Sequence, residues 1–219
     1  MSSPSSTGQK FARIRRIVLE LCPEYPQNEA TEGAILKWLD LVQQWNRKID
    51  LTAARNEDEL FDLFLADAFV LHRARLELGD STNWLDIGTG AGAPGLALAI
   101  LDPTLRVELV EPNTKRVAFL RHSIGSLGLK HVRVHAARLE GLTHLVADDV
   151  VSRATLSPSE WLAAGSRLTR KRLWFLLGRE SCMPNTSFAT VYDLAYVWPL
   201  TGATRRVLAV TPHQPQRDE

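Results

Sequence analysis

Cysteine is scarce: only Cys22 and Cys182 occur, far apart and in no metal-binding spacing, so neither a disulfide framework nor a zinc motif is available. Two reduced thiols are expected. No run of about 18 apolar residues is present, and no hydrophobic signal core lies near Met1, so the sequence predicts a cytoplasmic chain with no membrane partner. A dominant charge is also lacking. The 26 Lys and Arg against 25 Asp and Glu leave a net charge of +1, which neither demands nor excludes nucleic acid. Internal repeats are absent, and low-complexity sequence is confined to the Ser- and Pro-containing ends, where fraying is expected. What remains is a core-forming composition: 45% hydrophobic content over 219 residues allows one compact domain, expected to be monomeric.

The most specific local feature is Trp84-Leu-Asp-Ile-Gly-Thr-Gly-Ala-Gly-Ala-Pro-Gly95, where a short apolar run ending in Asp86 and Ile87 leads into Gly88, Thr89, Gly90, Gly92 and Gly95. It reads as a strand, a tight turn and a helix start. Glycines there let the backbone approach a ligand, and the helix opening directs free N–H groups at it. A nucleoside cofactor follows, but Gly90-x-Gly92-x-x-Gly95 with Glu111 after the next apolar run also fits a dinucleotide. Asp86 favours S-adenosyl-L-methionine, because a carboxylate there can hold the ammonium group of the methionine moiety. Glu111 would accept from ribose hydroxyls in either class.

From Asn83 onward apolar runs alternate with helical patterns, predicting strands near 83–87, 106–111, 131–135, 148–152, 171–177, 189–197 and 205–210, with helices between the first five. The last two, joined through Gly202, should form an antiparallel hairpin on a mainly parallel sheet. Upstream, a helix is expected over 11–21. A second from near Thr31 carries the stripe Ile35, Trp38, Leu39, Val42, Trp45 and Ile49, which should pack on the sheet. Asn56 and Glu59 suit the start of a third, on which Leu60, Phe64, Asp67 and Leu71 share a face. The expected division is a helical extension over 1–80, a sheet domain over 81–212 and a tail over 213–219. Basic groups at Lys10, Arg13, Arg15 and Arg16, at Arg167, Arg170, Lys171 and Arg172, and at Arg205 and Arg206 could each meet phosphates or simply face solvent. Loops over 52–56 and 182–187 are candidates to close over a substrate.

Four segments together resemble the glucose-inhibited division protein B family, the bacterial small-subunit ribosomal RNA guanine-N7 methyltransferases. They are Trp45-Asn46-x-x-Ile49-x-Leu51-Thr52, the turn from Asp86 to Gly95, Lys115-Arg116-Val117-x-Phe119-Leu120-Arg121 and Ser152-Arg153-Ala154. The resemblance covers about residues 35–180. It implies an α/β fold, the Rossmann-like seven-stranded class I S-adenosylmethionine-dependent methyltransferase sheet, with an N-terminal helical extension. It further implies methylation of guanine N7 in the 530-loop region of 16S ribosomal RNA, as free RNA or in an assembling small subunit. The backbone of Ala137 and Arg138 would flank the adenine, Arg153 would lie near the methionine end or the target, and Asp67 matches the family's acidic residue. Two departures accompany these matches. The family's Arg-His pair is Leu63-Phe64 here, and its Leu-Lys-Gly step is Leu176-Leu177-Gly178, with Arg179 as a possible substitute cation. A methyltransferase with another substrate and a non-catalytic binding protein are the alternatives.

Overall fold

The computed structural model describes residues 6–79, 81–142, 144–178 and 188–212. Cys182, Arg179, the 182–187 loop and the 213–219 tail therefore lie outside the described residues.

Seven strands form one sheet in the order β3-β2-β1-β4-β5-β7-β6. They are β1 (Asn83–Ile87), β2 (Arg106–Val110), β3 (Val132–His135), β4 (Ala147–Ser152), β5 (Thr169–Gly178), β6 (Ala189–Val197) and β7 (Thr204–Thr211). The first five run parallel, while β7 is antiparallel to β5 and to β6. β6 and β7 thus make the expected hairpin, with Gly202 at φ 76° in its turn. Strand order reverses between β1 and β4, so the crevice of the parallel sheet opens beyond their carboxyl ends.

The helices are α1 (Ser6–Leu21), α2 (Glu29–Asn46), α3 (Glu57–Phe61), α4 (Asp67–Leu78), α5 (Gly95–Leu101), α6 (Thr114–Leu127) and α7 (Pro158–Gly165). Asn28 starts α2 by accepting from Ala30 N and Thr31 N, and Asn56 starts α3 by accepting from Glu59 N, satisfying donors that a helix start leaves open. On α2, Trp38 is fully buried and Trp45 meets Phe119 of α6 edge-on at 5.7 Å, so both act in packing. One apolar cluster runs continuously from Ile14 and Trp38 to Trp84, Leu109 and Phe119, joining the N-terminal helices to one face of the sheet. A second, around Leu85, Val150, Trp161 and Leu173, lies on the opposite face beneath α7.

Two expectations are corrected. Between β3 and β4 the described chain makes only a single 3₁₀ turn, Leu139–Gly141, where a helix was expected. A short connection between these strands is enough because α7, the next helix along, covers part of that face. Most of the basic groups are also paired within the protein. Lys10 meets Asp40 at 2.6 Å, Arg13 meets Asp58 at 2.6 Å, Arg15 meets Glu32 at 3.2 Å and Arg206 meets Asp193. Arg172 is buried against Asp149 at 2.6 Å, which also accepts from Trp174 Nε1 at 2.7 Å. Each of these cations is committed to a carboxylate on another helix or strand.

Candidate active site

The predicted site residues gather at the reversal point. Asp86 is the penultimate residue of β1 and is 1% exposed. Its Oδ2 accepts from Thr89 Oγ at 2.7 Å and from Gly95 N at 2.8 Å, so one carboxylate oxygen braces both ends of the turn. The other, Oδ1, is buried without any hydrogen-bond partner among the described residues. Burial pushes the Asp86 carboxyl up to about 6, opposed by the donors Thr89 and Gly95 N–H and by the Arg153 charge. An orphaned carboxylate oxygen held this way fits a cationic donor brought by a ligand.

Gly88, Gly90 and Gly92 all have positive φ. At Gly90 (φ 60°) the space a Cβ would occupy is open, and its N–H donates to Glu111 Oε2 at 3.0 Å. Gly95 is needed for a different reason: a Cβ there would lie 2.6 Å from Leu109 Cδ2 and 2.7 Å from Asp86 Oδ2. The residue's smallness lets α5 begin against the strand.

Glu111 follows β2 and is 4% exposed; its Oε1 accepts from Asn113 N at 2.9 Å. Its own N–H donates to His135 O at 3.1 Å, tying the end of β3 to the end of β2. Ala137 is half-buried and Arg138 exposed just beyond that point, at the crevice rim. At the end of β4, Ser152 Oγ donates to Ile87 O at 2.9 Å, joining the two strands that flank the reversal. Arg153 follows and Ala154 turns with φ 54°, in the left-handed region seldom adopted by residues with a Cβ.

Arg153 leaves the strand towards the N-terminal helices. Its Nη1 donates to Leu63 O and lies 3.1 Å from Asp67 Oδ2. Asp67, 2% exposed, accepts two further bonds on Oδ1, from Tyr196 Oη at 2.6 Å and Trp198 Nε1 at 3.0 Å. Burial and the neighbouring Asp67 charge push the Tyr196 phenol well up, so it stays protonated and donates. Sequence reasoning placed Asp67 among apolar neighbours, and Leu60, Phe64 and Leu71 are indeed buried. It missed the partners, which lie 129 and 131 residues away, and a π-helical turn, Asp62–Ala66, between α3 and α4. That turn, with its i→i+5 hydrogen bonding, separates Asp62 from Asp67, and both carboxylates meet the same hairpin. There Asp62 accepts from Leu200 N, Thr201 N and Thr201 Oγ.

Leu63, Phe64 and Leu177, where the resemblance implies basic residues, are absorbed into apolar surroundings. Phe64 packs edge-on against Trp38 at 5.2 Å, Leu63 is half-buried, and Leu177 is 5% exposed. On the same side as the glycine turn, Arg116 donates to Asp50 O at 3.0 Å and so seats the 49–56 loop against the first turn of α6. That first turn also carries exposed Lys115.

The family GidB, rRNA small subunit methyltransferase G, matches residues 31–181. The chain belongs to this family. Among its relatives are proteins named ribosomal RNA small subunit methyltransferase G. The one from Neisseria gonorrhoeae is 31% identical over 74% of this chain and 76% of that protein, and the one from Halorhodospira halophila is 38% identical over 73% and 72%. Among solved structures, an O-methyltransferase from Bacillus cereus in complex with S-adenosylhomocysteine superimposes with a TM-score of 0.56 at 14% identity, covering 91% of this chain and 97% of that one. At such identity the likeness establishes the fold: the Rossmann-like, seven-stranded α/β sheet of the class I methyltransferases.

Proposed function

We propose that this member of the family transfers the methyl group of S-adenosyl-L-methionine to N7 of a guanine in the 530-loop region of 16S small-subunit ribosomal RNA. The observation that carries the cofactor half is the buried, unpartnered Oδ1 of Asp86 beneath the glycine turn and next to Glu111. In this reading Asp86 receives the ammonium group, the backbone of Gly88, Thr89, Gly90, Gly92 and Gly95 shapes the floor, and Glu111 accepts from the ribose. Ala137 and Arg138 border the base. Bound there, the cofactor supplies an electrophilic methyl group.

Guanine N7 carries an in-plane lone pair and no proton has to leave before it attacks, so the protein needs no general base. Its task is alignment. Arg153, held by Asp67 and by Leu63 O, faces the crevice edge as an orienting cation, and Asp67 offers negative charge near a product ring that becomes cationic. The division into an extension over 1–80 and a sheet unit over 81–212 is one of chain order, since one apolar cluster spans both.

One feature favours a second reading, a methyltransferase with another nucleic acid or small-molecule substrate: Leu63, Phe64 and Leu177 are apolar where the resemblance to the family implies basic residues. Transfer of labelled methyl to small-subunit RNA from cells lacking this gene separates the two. Label in N7-methylguanine supports the first, and label elsewhere the second.

The Asp86 role makes a pH prediction. A folded-state value raised to about 6 means the group favours the fold below its unfolded value of 3.8 and loses that contribution as pH rises through about 6. The ammonium group needs the ionised form, so cofactor affinity should hold above about pH 6 and fall about tenfold per unit below it. In Asp86→Asn it should be weak and flat. Calorimetry from pH 8 to pH 5 decides, and an unchanging affinity in the wild type would remove Asp86 from the ammonium site.

A further inference from the structure

Doubly wound sheets carry helices on both faces, and here one face is only part covered. Over β4 and β5 that face lies beneath α7, but the β3–β4 connection supplies only the turn Leu139–Gly141. β2 reads accordingly, with Val107 and Leu109 buried towards the main core and Arg106 and Glu108 on the opposite side. β3 repeats the alternation, placing Arg133 beside Glu108 in register.

These polar side chains line a groove of about 430 Å³ at the amino end of the strands, with Arg106, Lys130, Arg133 and Arg170 on its walls. All four are exposed, and no described carboxylate pairs with any of them. The acid that lines the groove, Glu108, lies 2.6 Å from His135 Nε2. Elsewhere the basic runs are largely neutralised by ion pairs, as at Lys10, Arg13, Arg15 and Arg206. In a chain of net charge +1, the uncovered sheet face has thus collected unpaired cations. Arg133 on β3 and Arg170 on β5 stand four strand spacings apart, about 19 Å. That is too wide for one small anion and comparable to several successive phosphates of a nucleic acid strand.

We propose that this groove binds the phosphodiester backbone of a second segment of the small-subunit RNA, at the sheet edge opposite the methyl-transfer site. The proposal rests on the RNA reading above. The two edges are about 16 Å apart along a five-residue strand, so the contact anchors a large RNA without touching the target base.

The test compares the wild type with a variant carrying R106Q, K130Q, R133Q and R170Q, in binding to protein-free full-length small-subunit RNA over a series of salt concentrations. Methyl transfer to a short RNA hairpin containing the target is measured in parallel. The expected result is a ten- to hundredfold loss of affinity for the long RNA at low salt, with the slope of log K on log salt shallower by about 3. Transfer to the hairpin should stay within about twofold of wild type. The opposite change, V146K at the exposed Val146 of the groove, should tighten binding and steepen the slope by about 1. Wild-type affinity and slope in the quadruple variant would overturn the proposal. So would a loss seen only with protein-bearing particles, which would assign the groove to a protein partner. A wild-type enzyme that methylates no RNA refutes the substrate reading itself, a distinct result.

Discussion

Asp67→Ala should lower the melting temperature by about 10 °C and slow methyl transfer by about a hundredfold, while cofactor affinity changes far less. Asp67 accepts from Tyr196, Trp198 and Arg153 at a site with 2% exposure, so its removal orphans two buried donors and strips a third of its carboxylate. Removing one partner of a buried ion pair costs about 3–5 kcal/mol, and a chain of this size loses about 2–4 °C per kcal/mol. The rate effect has a separate origin. Arg153 would keep Leu63 O but lose its carboxylate, and a displacement of about 1 Å at an orienting group is enough for a hundredfold loss. Asp67→Asn separates the two effects. It retains an acceptor for Tyr196 and Trp198 but turns an amide towards Arg153, so stability should recover more than turnover. Thermal melts and single-turnover transfer read these quantities. Full turnover in Asp67→Ala would show that Arg153 is held by other groups.

Gly95→Ala should cut cofactor affinity by at least about a hundredfold and destabilise the free protein by about 1–3 kcal/mol. The new Cβ would lie 2.6 Å from Leu109 Cδ2 and 2.7 Å from both Asp86 Cβ and Oδ2, inside any normal contact. Asp86 must then move, breaking its bond from Gly95 N and displacing the Oδ1 that is to receive the ammonium group. Gly125→Ala makes the matched control. Gly125 lies within α6, where an added Cβ meets nothing within 4 Å, so alanine there should stabilise by about 0.5–1 kcal/mol. Calorimetry and thermal melts on both variants give the comparison. Equal cofactor affinity in the two would mean that the turn tolerates a shifted Asp86.

The parts of this molecule legible in its sequence are those set by local chemistry. β1 could be read as 83–87 because an apolar run stops at glycines, and β6 as 189–197 because its hairpin partner follows through Gly202. The Asn56 cap was legible for the same reason, as side chain and backbone partner lie three residues apart. What escaped depends on distant groups. Nothing near Asp67 names Tyr196 or Trp198, and the π turn before it has no composition of its own. The basic run at Lys10 to Arg16 suggested a phosphate surface because its acceptors, such as Asp40 and Asp58, come from other helices. The missing helix between β3 and β4 was expected from alternation alone, although β2 already signalled an uncovered face by placing Arg106 and Glu108 between valine and leucine.

Methylation of one guanine at N7 leaves a chemical signature: after reduction, the RNA chain breaks at that nucleotide under aniline. Small-subunit RNA from cells lacking this gene would be incubated with the purified protein and S-adenosyl-L-methionine, reduced, cleaved and read by primer extension. A single new stop is expected in the 530-loop region, absent without cofactor and absent with Gly95→Ala. No new stop, from a protein that binds the cofactor, would contradict methylation at N7.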